Sequence, residues 1–332
     1  MKGMINMQYD RLERFIQHQC KSLSQNTRKS YRSDIEVFLN NMSGKKIVNT
    51  ELDLLKSITN DDVEDWIESQ EGKSFTTMDR RLIALKKFFN YITVNKKIIA
   101  FNPFDGINRV KPPKNITQAI KNNELYYKLK QKKIMPSIDE IKKIIDSTYI
   151  RVNKERNFKF ASARDRFLIS MLFTTGLRIE ELLSVDLSQI KPYNEGEGYI
   201  IENIPSKTGV LKRVPIANKT LEYYKDYLSE RNLYKNGNKS NYLVINESGD
   251  KWTNKDTNKR LTMILKKAEI DKHITCHGFR YAFKTYSTAK GINSDIIALV
   301  GGWKNDLSNQ ADTYLTNNGS LDKQIIEACN LL

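Results

Sequence analysis

Cysteine is scarce in this chain: Cys20, Cys276 and Cys329 are an odd number, set far apart. That argues against a disulfide framework and points to a reducing, cytoplasmic setting. The three read as small buried hydrophobes. No cluster of cysteine and histidine has the spacing of metal ligands, so neither a metal nor another cofactor is expected. No apolar run approaches the ~20 residues that a membrane-spanning helix requires. The first ten residues lack the apolar segment of a secretion signal. Acidic side chains are also short: 39 Asp and Glu face 55 Lys and Arg, a net charge of +16. An excess of this size favours a polyanionic partner, nucleic acid ahead of an anionic membrane.

What is present suffices for folded cores. Hydrophobic residues make up 39% and charged residues 28%, which argues against wholesale disorder. A chain of 332 residues favours two domains. Neither an internal repeat nor a low-complexity tract is visible.

Residues 1–105 read as a bundle of four or five amphipathic helices. Ser24-Gln25-Asn26-Thr27 resembles a helix start, and Tyr31, Ile35, Phe38 and Leu39 then recur at helical spacing. A later helix carries Leu82, Leu85, Phe88, Phe89 and Ile92 on one side and Arg80, Arg81, Lys86 and Lys87 on the other. Arg28, Lys29, Arg32, Arg80 and Arg81 are candidate nucleic-acid contacts; a solvated helix face is the competing reading for each. Residues 106–134 carry +7, against +3 for residues 1–105 and +6 for residues 135–332. This basic linker includes Lys111 and Lys114 around two adjacent prolines, which discourage a continuous helix. A solvated tether and a strap along phosphates both fit, and the charge density favours the strap.

Residues 135–332 read as mostly helical with a small antiparallel sheet. Ser137 is placed to cap a helix over Ile138–Ser147. A helix around Ala163–Thr174 is broken at Gly176, and another begins at Arg178. Residues 199–216 alternate about a turn at Ser206-Lys207-Thr208-Gly209, which predicts a β-hairpin. Tyr242–Asn246 is the expected third strand.

Arg178 lies in the first turn of its helix among apolar neighbours and needs an anion, either phosphate or carboxylate. Glu181, three residues on, shares its face and is placed to hold it. His277 and Arg280 are likewise i, i+3 neighbours, with Tyr281, Phe283 and Tyr286 reading as core. Two arginines suit the non-bridging oxygens of a phosphodiester and the charge of a pentacoordinate transition state. A tyrosine can attack where positive charge favours its phenolate, and the phosphotyrosine formed conserves the bond energy for rejoining. Of sixteen tyrosines, Tyr314 stands out because it follows Asp312-Thr313 in a polar segment and is the only one after Tyr286. Lys207, on a hairpin turn, reads either as a general acid for the leaving 5′ oxygen or as a solvent-facing lysine.

Arg178, Lys207, His277-x-x-Arg280, Gly302-Trp303 and Tyr314 resemble, in order, the catalytic set of the tyrosine recombinase (phage integrase) family. The likeness covers most of residues 136–332, including Thr-Gly-Leu-Arg-Ile-x-Glu-Leu and His-Gly-Phe-Arg; residues 1–105 resemble the family's core-binding domain more loosely. It implies that Arg178 and Arg280 clamp the scissile phosphate and His277 assists proton transfer. Lys207 would protonate the departing 5′-hydroxyl, and Tyr314 would form a 3′-phosphotyrosyl bond. Trp303 stands where many members carry histidine; indole donates a hydrogen bond but does not shuttle a proton. The resemblance further implies a two-domain clamp on double-stranded DNA, a homotetramer exchanging strands through a Holliday junction, and a nucleoid-associated protein of a bacterial-type cell. The apolar-faced tail after Tyr314 would pack on its own domain or dock into a neighbouring protomer. A type IB topoisomerase-like nicking enzyme and a non-catalytic DNA-binding regulator are the competing functions.

Overall fold

A computed structural model describes residues 9–112, 114–116, 134–151, 157–193, 198–206, 211–303 and 319–332. Contacts divide the chain into two compact units, Met1–Lys132 and Lys133–Leu332.

The first unit contains helices α1 (Asp10–His18), α2 (Gln25–Lys45), α3 (Glu51–Ser57), α4 (Asn60–Glu68) and α5 (Phe75–Asn90). A π-helical turn, Tyr91–Asn95, follows α5 directly. Hydroxyl caps at Ser24, Thr50, Thr59 and Ser74 accept from backbone N–H groups that the first turn leaves unpaired. Helix α1 has Tyr9 at this position and no side-chain cap. Buried Glu51 supplies the acceptor instead, taking bonds from the amides of Arg11 at 3.0 Å and Leu12 at 3.3 Å. Apolar faces of the helices meet in a core built around Ile35, Phe38, Trp66, Leu82, Leu85, Phe88 and Phe89. Its rings pack edge to face, as in Phe38 against Trp66 at 5.0 Å. The start of the basic linker is tied to this bundle: Ile107 and Val110 pack on its core, and Arg109 forks onto Asp79 at 2.7 and 2.6 Å.

The second unit surrounds one long helix. Helix α6 (Ile138–Ser147) starts with the capping box of Ser137 and Glu140. Helix α7 (Phe158–Thr175) is buried on nearly every side: Phe160, Ala163, Phe167, Met171 and Phe173 pack in the core, and its buried Arg164 and Asp165 pair with each other at 3.1 Å. It ends at Gly176, whose φ of +59° is left-handed backbone that favours glycine. Short helix α8 (Ile179–Leu183) follows, with Arg178 as its extended N-cap rather than in its first turn. Strands β1 (Ile190–Tyr193), β2 (Gly198–Pro205) and β3 (Leu211–Ile216) form an antiparallel sheet in that order, with Ile201 opposite Val214. Helices α9 (Asn218–Leu233), α10 (Asn254–Lys267), α11 (Cys276–Ala289), α12 (Ser294–Gly301) and α13 (Gly319–Ala328) complete it.

The expected third strand at Tyr242–Asn246 forms only isolated bridges, and β1 takes its place in the sheet. Leu243, Val244 and Ile245 are apolar because they lie in the core. Part of their backbone is satisfied by the buried Arg231 guanidinium, which donates to the carbonyls of Tyr242 and Leu243 at 2.7 and 3.0 Å.

Candidate catalytic site

Gly176 turns the chain so that Arg178 begins α8 with Glu181 one turn ahead. Glu181 reaches back to accept from the Arg178 amide at 2.8 Å and from its Nη1 at 2.8 Å. The acid therefore caps the helix and fixes the guanidinium together. Arg178 retains partial exposure, whereas Glu181 is buried. Burial alone would raise the Glu181 carboxyl; hydrogen bonds from Lys212 and Arg178 outweigh it and hold the group below the usual carboxylate range.

Arg280, on the second turn of α11, is only 2% exposed. Its Nη1 donates to the carbonyl oxygens of Gly176 and Gly301. Its Nη2 is buried and makes no hydrogen bond among the described residues. Burial, reinforced by the nearby Arg178 cation, pushes this guanidinium down to about 10. The Trp303 ring lies 3.9 Å from the Arg280 guanidinium carbon and parallel to Phe283. Gly301 and Gly302 make this arrangement possible. A Cβ on Gly301 would lie 1.6 Å from the indole, and Gly302 has φ +64°. Arg178, Glu181, Arg280 and Trp303 are thus brought together from α8, α11 and the end of α12.

His277, one turn before Arg280, is partly buried and meets Tyr281 edge-on at 4.9 Å. Tyr281 and Phe283 were both expected in the core; Phe283 is buried, whereas Tyr281 is 41% exposed. Lys207 and Tyr314 lie outside the described residues.

One residue escaped the sequence reading. Lys212 is buried and donates to Glu181 Oε2 at 2.6 Å and to the Gly301 carbonyl at 3.0 Å. The signal was available: β3 alternates, and Lys212 shares its inward face with Val214 and Ile216.

The candidate DNA contacts of the bundle behave differently. Arg32 pairs with Glu13, Arg80 with Asp34 at 2.5 Å, and Arg81 with Gln70 and Asp34. Arg28 has a buried Nε with no hydrogen-bond partner among the described residues. Lys29, Lys111 and Lys114 are exposed.

The sequence profile of the phage integrase family matches residues 138–318, and that of its N-terminal SAM-like domain matches residues 11–96. The chain is 23% identical over 300 residues to the tyrosine recombinase XerD of Oceanobacillus iheyensis, covering 89% of this chain and 90% of that protein. It is 29% identical over 273 residues to a tyrosine recombinase of Agathobacter rectalis, covering 80% and 78%. Its fold matches XerH site-specific recombinase bound to palindromic difH substrate, with TM-score 0.62, 20% identity and coverage of 92% and 91%. A lambda integrase tetramer bound to a Holliday junction gives TM-score 0.60 at 15% identity, covering 91% of this chain and 75% of that one. The chain belongs to the phage integrase family. Within it, the protein is a tyrosine-type site-specific DNA recombinase.

Proposed function

We propose that Arg178 and Arg280 clamp the scissile phosphodiester of a double-stranded recombination site, and that Tyr314 attacks it. The observation that carries this reading is charge left over around a single carboxylate. Arg178, Arg280 and Lys212 face Glu181, a local balance of +2. A phosphodiester monoanion attacked by a phenolate passes through a species with charge of about −2, which such a site stabilises without rearrangement. Arg280 Nη2 and the Arg178 donors that make no hydrogen bond among the described residues are the groups to fork onto the two non-bridging oxygens.

In this mechanism the Tyr314 oxygen bonds to phosphorus as the bond to the 5′ oxygen breaks. Lys207 delivers the proton that the leaving oxygen takes up. His277 assists proton transfer at the tyrosine, and Trp303 holds the Arg280 plane and donates a hydrogen bond. Reversal by another strand's 5′-hydroxyl completes exchange, four protomers acting on two duplexes through a Holliday junction. Lys29, Lys111 and Lys114 contact the DNA backbone, and the protein works at the nucleoid. The tail packs on its own domain in the free protomer, with Ile325, Ala328 and Leu331 in the core and Lys290 Nζ bonded to the Asn330 carbonyl at 2.5 Å. Docking into a neighbour belongs to the assembled state.

A suicide substrate nicked near the cleavage point tests the proposal. Wild type traps a covalent protein–DNA adduct, and Tyr314→Phe traps none. An adduct formed by the Phe variant excludes Tyr314 as the nucleophile.

A further inference from the structure

We propose that Lys212 is a positioning residue that locks the two phosphate-binding arginines into one array, acting through Glu181 and the Gly301 carbonyl. The proposal rests on the reading of Arg178 and Arg280 as the phosphate clamp. One chain of hydrogen bonds carries it. From Gly176, the path runs through Arg280 to the Gly301 carbonyl, from there through Lys212 to Glu181, and on to Arg178. Lys212 is its middle link. It joins the half anchored on α11 and α12 to the half anchored on α8.

Two of the three Lys212 donors are taken by Glu181 and Gly301, and the residue is only 2% exposed, which suits it to hold the array rather than to meet the phosphate. Arg280 differs in that a whole nitrogen, Nη2, makes no hydrogen bond among the described residues. The charged groups facing Lys212 are Glu181 from α8, Arg178 just before it, and Arg280 from α11; α12 presents the Gly301 carbonyl. The backbone is shaped around the lysine stem. A Cβ on Gly302 would lie 2.1 Å from Lys212 Cε, so glycine at this position leaves room for the lysine stem beside the turn that delivers Trp303.

The charge is also kept against a cost. Burial, partly countered by Glu181, pushes the ammonium down to about 8. Methionine has nearly the same length and would occupy the slot without that penalty. What methionine lacks is a donor for each of two acceptors on different helices. Retaining a cation there is explained by the array it holds.

Two readouts test this on the full-length protein. The first is the rate of adduct formation on the nicked substrate. Lys212→Met lowers it about a hundredfold, as expected for slight misplacement of reacting groups. Glu181→Gln lowers it comparably, and the double variant falls little further, because both break one chain. A 5′-phosphorothiolate leaving group restores Lys207→Ala but not Lys212→Met; restoration of Lys212→Met makes Lys212 the general acid and overturns the proposal. A wild-type rate in Lys212→Met also overturns it.

The second readout does not depend on activity. Arginine Nε–Hε NMR signals of the free protein report how firmly Arg178 and Arg280 are held. Lys212→Met speeds their exchange with water at least tenfold; unchanged signals overturn the proposal. Should wild type form no adduct, the clamp reading falls, and the arginine signals still decide what Lys212 does. If melting shows that Lys212→Met is unfolded, Lys212→Gln, which keeps one neutral donor, replaces it with the same expectations.

Discussion

In the helical bundle, Arg11 pairs with Glu51, Arg32 with Glu13, Arg80 and Arg81 with Asp34, and Arg109 with Asp79. Around Glu181 in the second domain, Arg178 and Lys212 divide one carboxylate, and Arg280 has backbone carbonyls as its partners among the described residues. These arginines of the bundle are answered by carboxylates before any ligand arrives. Around Glu181 positive charge is left in surplus and fixed by hydrogen bonds. The difference teaches how one basic chain separates charge that builds a fold from charge left over for a ligand.

The strongest break of this contrast is an exchange of roles. Arg178→Ala lowers adduct formation by roughly 10²–10³, the cost of one well-placed donor to a developing anion. Arg80→Ala leaves the rate within about threefold. Single-turnover assays on the nicked substrate measure both, and equal losses erase the distinction.

Acid sharpens it next. Asp34 is buried, and burial outweighs Arg80 and Arg81, so its carboxyl sits above the ordinary value. Its folded form binds a proton more readily than its unfolded form, so its contribution to stability falls as pH rises from the ordinary aspartate range through the raised value. Glu181 has the opposite sign: its contribution is present above the ordinary glutamate range and is lost as pH falls through the lowered value. Asp34→Asn and Glu181→Gln each remove their own slope. Denaturation curves collected across acid pH check this, and slopes of the same sign contradict it. At neutral pH, Asp34→Ala costs about 1–3 kcal/mol of bundle stability, since it strips a buried acceptor from two arginines.

The smallest effect concerns single exposed lysines. Lys29→Ala or Lys111→Ala reduces the salt slope of DNA binding by roughly 1, the release of about one counterion, with little change in melting. Arg32→Ala moves melting and leaves the slope nearly unchanged. A full unit of slope from Arg32 would return it to the DNA surface.

Much of this was legible in the chain. Ser24 and Ser137 announce their helices, and the helical spacing of Leu82, Leu85, Phe88 and Phe89 marks the core face of α5. The spacing of Arg178 and Glu181 located a contact made within one helical turn. What stayed hidden spans long stretches of sequence. Lys212 and Gly301 are 89 residues apart, and Arg280 and Gly176 are 104 apart. No local period encodes such contacts. Strand β1 was missed because Lys191-Pro192 looks like a strand breaker, yet proline is tolerated in an edge strand. The run Leu243–Ile245 looked like a sheet strand because burial alone makes any short segment apolar.

The seat of the tail also sets a length. Helix α13 begins at Gly319, five residues beyond Tyr314, and is anchored on α12 and the core through Ile325 and Leu331. Five residues of chain span at most roughly 18 Å, so an anchored tail is a short leash. With the tail off its seat, Tyr314 is bounded only by the eleven residues back to Trp303, a radius of roughly 40 Å. Where ten residues of helix come to rest thus sets how far Tyr314 can travel.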